Sequence, residues 1–431
     1  MKTRVFFIVL FLLLTIYQDC PLINVFGEIA RSPIFIISIP MMIYIFSFKK
    51  IVVSKYMKYL IYYFTYLIVI AMVYLPFVII NNQSFTFLDE NLIVKAIKAT
   101  IYMFLFIIYY QFVYTFLSKE KDALLKLFYA LTIIQILMAI LLVFEIYYID
   151  DPEPFLSQIH ATDSKYWRVR LLTLEESWTG SVFVIIMFLP IFLAYFLNVS
   201  KKLKKTVSLI SIFIFVFYTI NSESKGYLFL VLTSILPLFI AYVYKDQRLR
   251  KYLFLFGIIL IVGGVAVFIT LQDVISTKYT SGTFGTRFGS YLIGLDIFVK
   301  NPLGVSFGSF TYFFPKAAEQ VIELSFLQNL NFNELSTYIT STKNQSTKTF
   351  FFDHLIYGGV GFIVFCYYFF IKRYQFFSKK TFPFSFFVKV PYTFIILAGL
   401  VYITYDIKYD VWFLLAFLDV LENKISYGKE E

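Results

Sequence analysis

Residues 59–81 read YLIYYFTYLIVIAMVYLPFVIIN, a run without a single charged side chain. About 20 apolar residues in a helix span the hydrocarbon core of a bilayer, so this run is long enough to cross. Working outward, runs of the same kind lie at 33–47 and 5–19 on one side. On the other they lie at 97–117, 123–148, 178–198, 206–220, 226–244, 252–271, 350–371, 390–405 and 410–422, the last of them short. These runs predict an all-α polytopic integral membrane protein of about 12 transmembrane helices, with residues 1–431 as a single transmembrane domain. Composition agrees. The chain is 60% hydrophobic and 15% charged, against about 45–50% and about 25% in soluble domains. The opening stretch, MKTRVFFIVLFLLLTIYQDC, is shaped like a signal peptide but no small-residue cleavage site follows, so it reads as an uncleaved first span.

The net charge of +11 is placed against nucleic-acid binding. Lys and Arg gather between the runs, at Lys2/Arg4, Lys49 to Lys58, Lys119 to Lys126, Lys201 to Lys205, Lys245 to Lys251, Lys372 to Lys380 and Lys424/Lys429. With twelve spans every cluster falls on one side, which the positive-inside tendency makes cytoplasmic, together with both termini. The outer side then receives a turn near Asp89–Glu90, a loop at 149–177, a tight turn at Asn221–Lys225 and a large loop at 272–349 with an amphipathic helix. Loops of that length inside a membrane protein usually carry function. Cys20 and Cys366 lie in or beside apolar runs and suggest neither a disulfide framework nor a thiol metal site.

Three polar constellations fall on the outer side. The first is Trp167-Arg168-Val169-Arg170 with Glu175-Glu176-Ser177-Trp178. In an extended segment Arg168 and Arg170 point the same way, and paired guanidinium forks suit a diphosphate. Glu175 or Glu176 can take a proton from an attacking hydroxyl. The same residues also read as an interfacial salt-bridge patch anchored by the two tryptophans. The second is the turn Ser222-Glu223-Ser224-Lys225-Gly226, where Ser224 and Lys225 at a helix start suit phosphate. There the alternative is a lysine that snorkels and pairs with Glu223. The third is Ser281–Phe310, SGTFGTRFGSYLIGLDIFVKNPLGVSFGSF. In it Phe288, Leu292, Leu295 and Val299 recur at helical spacing until Asn301-Pro302. Arg287 opens that helix among glycines, either as an anion site or as part of a packed interfacial helix.

Other chemistry is poorly represented. His160 and His354 are the only histidines, and no His/Cys cluster has metal spacing. Neither a P-loop nor a dinucleotide glycine motif is present. Asp406 and Asp410 bracket the last outer turn, as site residues or as ordinary interface residues.

The order of these features resembles the O-antigen polymerase and O-antigen ligase family of bacterial envelope glycosyltransferases. Arg170 precedes Glu175, Ser177 and Gly180, a Ser224-Lys225-Gly226 turn follows, and Arg287 opens a helix leading to Asn301–Val305 and Gly308. Gly358 and Gly361 complete the set, so the resemblance covers about Trp167 to Tyr368. Ligases of the group carry a His-Asn pair where Thr347-Lys348 stands here, which favours the polymerase. The resemblance implies a glycosyltransferase C-like fold in the bacterial inner membrane and an inverting, metal-independent transfer at the periplasmic face, without cofactor. The implied substrate is an undecaprenyl-diphosphate-linked glycan among membrane lipids, and a chain-length regulator is an implied partner. The implied roles are diphosphate binding for Arg170 and Arg287 with support from Lys225 and Arg168, and base for Glu175 or Glu176. Two alternatives stand beside it, a ligase that passes finished glycan to an acceptor and a flippase for lipid-linked oligosaccharide.

Overall fold

The apolar runs fold as helices because backbone polar groups inside a bilayer must be satisfied within their own segment. The computed structural model describes residues 2–147, 159–161, 169–222, 224–245, 282–324, 333–342, 345–379 and 385–427. The long helices before the first large loop are α1 (Lys2–Ile16), α2 (Ile34–Phe46), α3 (Lys55–Asn82), α4 (Leu92–Lys119) and α5 (Ala123–Tyr147). After it come α6 (Glu176–Phe196), α7 (Lys201–Asn221) and α8 (Lys225–Lys245). The region of the second large loop contains α9 (Gly282–Lys300), α10 (Phe310–Ile322) and α11 (Asn333–Thr340). The chain then returns through α12 (Phe350–Cys366), a π-helical turn (Tyr367–Ile371), α13 (Lys372–Lys379), α14 (Phe386–Val401) and α15 (Tyr409–Tyr427). The sole sheet among the described residues is a two-stranded hairpin pairing Thr86 with Asn91 and Phe87 with Glu90.

Seven helical segments are long and apolar enough to cross a membrane: α3, α4, α5, α6, α7, α8 and the continuous stretch Phe350–Lys379. Shorter apolar helices occupy α1, α2 and α14. The chain is therefore an all-α, multi-pass membrane protein. The predicted run at 252–271 lies outside the described residues, and every other run falls on a helix. The last run is longer than its apolar stretch suggested. Its helix, α15, continues to Tyr427, and its interior charge Asp419 is sheltered by Tyr110 at 2.7 Å and by Ser54.

Two helices form the centre. The span in α6 is 89% buried, against 22–44% for the other crossing segments. Helix α15 is buried from Tyr409 to Leu421. A helix apolar on every side belongs inside a bundle, and α6 packs among α5, α7, α14 and α15.

The two ends of the bundle collect different charges. At one end Arg4 and Lys126 share Glu120, Tyr56 donates to Glu422, and buried Arg373 meets Tyr110, which in turn donates to Asp419. These residues come from the first, second, third, sixth and seventh basic clusters or stand beside them, so the structure brings those clusters to one end. The other end is assembled from the outer loops.

One interlock fixes how the second large loop meets the bundle. The predicted stop at Asn301-Pro302 ends α9, and the following segment enters a break in α12. There Val305 N–H donates to Ile356 O, Ser306 N–H to Tyr357 O and Val360 N–H to Pro302 O, at 2.8–2.9 Å. Gly359 sits at φ 49° and ψ −131°, and a Cβ there would lie 2.1 Å from Pro302 O. Only glycine fits that backbone at that approach. On α9 itself, Ile293 and Ile297 turn inward, whereas Phe288, Leu295 and Val299 of the predicted stripe are exposed. The stripe is the outer face of the helix, not its packing face.

Candidate functional site

At the end of the bundle away from the basic clusters, the helices meet on the turn between α14 and α15, residues 401–410. Backbone and side chains converge there from several parts of the chain. Phe350 N–H, at the start of α12, donates to Ile403 O at 2.8 Å. From α9, Tyr291 Oη donates to Val401 O at 2.6 Å and Arg287 Nη1 reaches the same oxygen at 3.5 Å. The Arg287 guanidinium lies 5.7 Å from the centre of the Tyr402 ring. The same ring also meets α8, where a Cβ on Gly226 would lie 3.9 Å from Tyr402 Cε1. Tyr402 thus touches both Arg287 and the Lys225–Gly226 helix start.

Helix α6 arrives from a third direction. A Cβ on Gly180 would come 2.3 Å from the Tyr227 ring, so this glycine lets the starts of α6 and α8 touch. Lys408, buried in the turn, donates to Gln18 Oε1 at 3.2 Å and to Trp178 O at 3.3 Å, and sits 5.0 Å from the Trp178 ring. Asp410 accepts from Gln18 Nε2 at 2.8 Å and Ser181 Oγ at 2.9 Å. Burial pushes the Lys408 ammonium down to about 8, and the charges of Asp410 and Glu175 partly restore it.

The fourth contribution comes from the first large loop. Arg170 is fully buried, with Nη1 3.3 Å from Asp19 Oδ2 at the end of α1. Asp19 also pairs with Arg31 at 2.8 Å, and His160 Nδ1 lies 3.4 Å away. Burial lowers the proton affinity of His160, against the pull of Asp19. The backbone is pinned as well: Glu145 accepts from Arg170 N–H at 2.8 Å and from Leu171 N–H at 2.7 Å, with Leu171 at φ 53°. Thr173 and Thr179 hydroxyls cap the Arg170 carbonyl. The expectation for Arg170 was a guanidinium on an open face, and the structure turns it inward because Asp19 offers a carboxylate there.

The remaining predicted residues fall as follows. Arg287 is half-buried and Lys225 is exposed, and among the described residues neither pairs with a carboxylate. Ser224 is buried and precedes α8, its hydroxyl 3.4 Å from Tyr227 N. Glu175 is exposed at the start of α6 and accepts from Ser177 Oγ at 3.3 Å. Arg168 and the side chain of Glu176 lie outside the described residues. Among the described residues no group of three or more His, Cys, Asp or Glu is arranged to hold a metal. The adjacent Asp353 and His354 do not serve each other. Asp353 accepts from Thr347 N–H at 2.7 Å, while His354 Nδ1 contacts Tyr63 Oη at 2.9 Å.

The turn also exposes a residue that spacing had left open. Asp406 is exposed, yet protein around it raises its carboxyl to about 7, with the nearby Asp353 charge adding to the effect. Asp19, Tyr402 and Lys408 were missed altogether. Their signal in the sequence is faint, a polar residue at the end of an apolar run, and their partners lie anywhere from 12 to 390 positions away. Taken together, the segments around this turn carry two cations without acidic partners among the described residues, exposed Glu175 and Asp406, and a buried polar cluster. Such a surface can bind an anionic group and move a proton beside it.

No family model matches the chain. A protein of Klebsiella pneumoniae described as an uncharacterized 49.5 kDa protein in cps region is 32% identical over 149 residues. That match covers 33% of this chain and 34% of the relative, so the chain spans about a third of the length of the curated relative it matches.

Proposed function

We propose that the chain is a membrane glycosyltransferase of polysaccharide biosynthesis, a polymerase of lipid-linked oligosaccharide repeat units. The observation that carries this reading is the gathering of Arg287 and the Lys225 helix start around Tyr402, without acidic partners among the described residues and with Glu175 and Asp406 exposed on connected segments. The cps (capsule) region named for the Klebsiella pneumoniae relative supports a polysaccharide context. In this reading twelve spans put the site on the periplasmic face of the bacterial inner membrane, with both termini cytoplasmic. The growing glycan leaves undecaprenyl diphosphate and joins the sugar of a second lipid-linked unit. Arg287 and Lys225 receive the charge that develops on the departing diphosphate, the point at which fixed cations lower a barrier most. Arg170 holds the first loop in place through Asp19, and a carboxylate accepts the hydroxyl proton. Neither metal nor cofactor is needed for this transfer, and a chain-length regulator is a plausible partner.

A flippase needs a polar path through the bundle. The buried charges at Asp410 and Asp419 are nine residues apart on α15, about 13 Å, and every residue from Val411 to Leu418 between them is apolar and buried. That interruption favours chemistry at one end. The test is the product of a strain lacking the protein. A polymerase leaves single repeat units on the final acceptor, a ligase leaves no glycan there, and an unchanged polymer rejects both.

A further inference from the structure

The geometry points to Asp406 as the proton acceptor of the transfer, with Asp353 as the positioning residue behind it. This rests on the reading of the site as a glycosyltransferase. In a turn where Tyr402, Ile403, Tyr405, Lys408 and Tyr409 are buried, Asp406 as a residue stays accessible while its carboxyl is crowded by protein atoms. Its neighbours are already committed. Asp410 is held by Gln18 and Ser181, and Asp353 by Thr347 N–H and Ser346 Oγ at 2.8 Å. Glu175 takes the Ser177 hydroxyl. Among the described residues Asp406 makes neither a hydrogen bond nor an ion pair.

The charged group that bears on Asp406 is Asp353 from α12, and the titratable neighbours that feel the Asp406 charge are Tyr357 from α12, Tyr102 from α4 and Tyr409 from α15. No cation is among them. Desolvation first, and the fixed Asp353 charge second, lift the Asp406 carboxyl to about 7. A general base works best when its proton affinity matches the working pH. Asp406 is also four residues beyond Tyr402, which bounds their Cα separation at about 14 Å. The turn that carries this carboxylate therefore also meets Arg287.

The step balances as follows. The O–H bond of the acceptor sugar breaks and its proton passes to an Asp406 carboxylate oxygen. The freed oxygen pair forms the new bond to the anomeric carbon. The bond from that carbon to the diphosphate breaks, and its electrons leave on the diphosphate beside Arg287 and Lys225. Asp353 touches neither sugar and acts only by raising the basicity of Asp406.

The test uses full-length protein in membranes that supply the lipid-linked repeat unit, with undecaprenyl diphosphate as the binding probe for purified protein. Asp406→Asn should lower polymer formation by about 100-fold or more while keeping undecaprenyl diphosphate binding, which Arg287→Ala should lose. The wild-type rate should rise as pH passes through about 7, and Asp353→Asn should move that midpoint to lower pH. Polymer formation at the wild-type rate by Asp406→Asn overturns the inference and leaves the polymerase reading intact. If Asp406→Asn is lost from the membrane, Asp406→Glu decides: a displaced pH midpoint supports the role and an unmoved one overturns it. A wild-type protein that forms no polymer removes the underlying reading instead.

Discussion

Asp19 shows how much one buried carboxylate can organise. It faces Arg31, Arg170 and His160, and its own carbonyl accepts from Ala161 N–H at 3.1 Å. Removing one partner from a buried ion pair leaves an uncompensated charge and costs about 3–5 kcal/mol. We expect Asp19→Ala to lower the thermal midpoint of the purified protein sharply and to reduce its amount in the membrane. Arg170→Ala should do the same, whereas Arg287→Ala should leave stability near that of the wild type while abolishing polymer. Asp406 adds a dependence on pH. Its carboxyl is held at about 7 in the fold, above the ordinary 3.8. A raised group stabilises the fold fully below its ordinary value, and that contribution disappears as pH rises through the folded value. Asp406→Asn should therefore gain thermal stability over the wild type progressively as pH rises from about 4 to about 7, and the gain should level off above about 7. A difference independent of pH would count against the shift. None of this could be read from spacing, since Gln18 and Asp410 are 392 positions apart.

Among the elements, the break in α12 is the most sharply constrained. The sequence shows a helix stop at Asn301-Pro302 and two glycines, Gly358 and Gly361, entering a span. It does not show that the first threads into the second, because backbone pairing between 302–306 and 356–360 leaves no side-chain pattern. A methyl group on Gly359 would need the unfavourable backbone conformation as well as displacement of Pro302 O. Strained backbone costs about 1–3 kcal/mol for a non-glycine residue, before the clash is added. Gly359→Ala should thus be less stable than Gly361→Ala, whose methyl would meet only the Tyr66 ring at 2.3 Å. Thermal unfolding in detergent measures the order, and the reverse order would contradict the interlock. The existence of the long apolar helices, by contrast, was legible for every run among the described residues, whereas α10 and α11 in the second large loop were not foreseen. Long charge-free runs have few alternatives in a bilayer. The reach of α15 was not legible, because its last turn, Asn423 to Tyr427, is mixed in character and lies past the apolar stretch.

At the scale of the molecule, basic clusters and the 401–410 turn lie at opposite ends of the bundle. Charge counting expects such a separation, and the proposed twelve-span reading assigns the end with the basic clusters to the cytoplasm. With Cys20 and Cys366 replaced, a cysteine at exposed Leu303 should react with an impermeant maleimide on intact cells. A cysteine at Lys424 should react only after permeabilisation, and labelling of both from outside would contradict the orientation. The residues gathered at this end came from separate stretches of sequence, and the sequence suggested Arg287, Lys225 and the turn bracketed by Asp406 and Asp410 without showing that this turn joins them. The most direct test of the central claim is the length distribution of glycan made in a deletion strain complemented with wild type or Arg287→Ala. The account predicts a full ladder with the wild type and single repeat units with Arg287→Ala at equal protein level. A full ladder from the variant, or from the uncomplemented deletion strain, would contradict it.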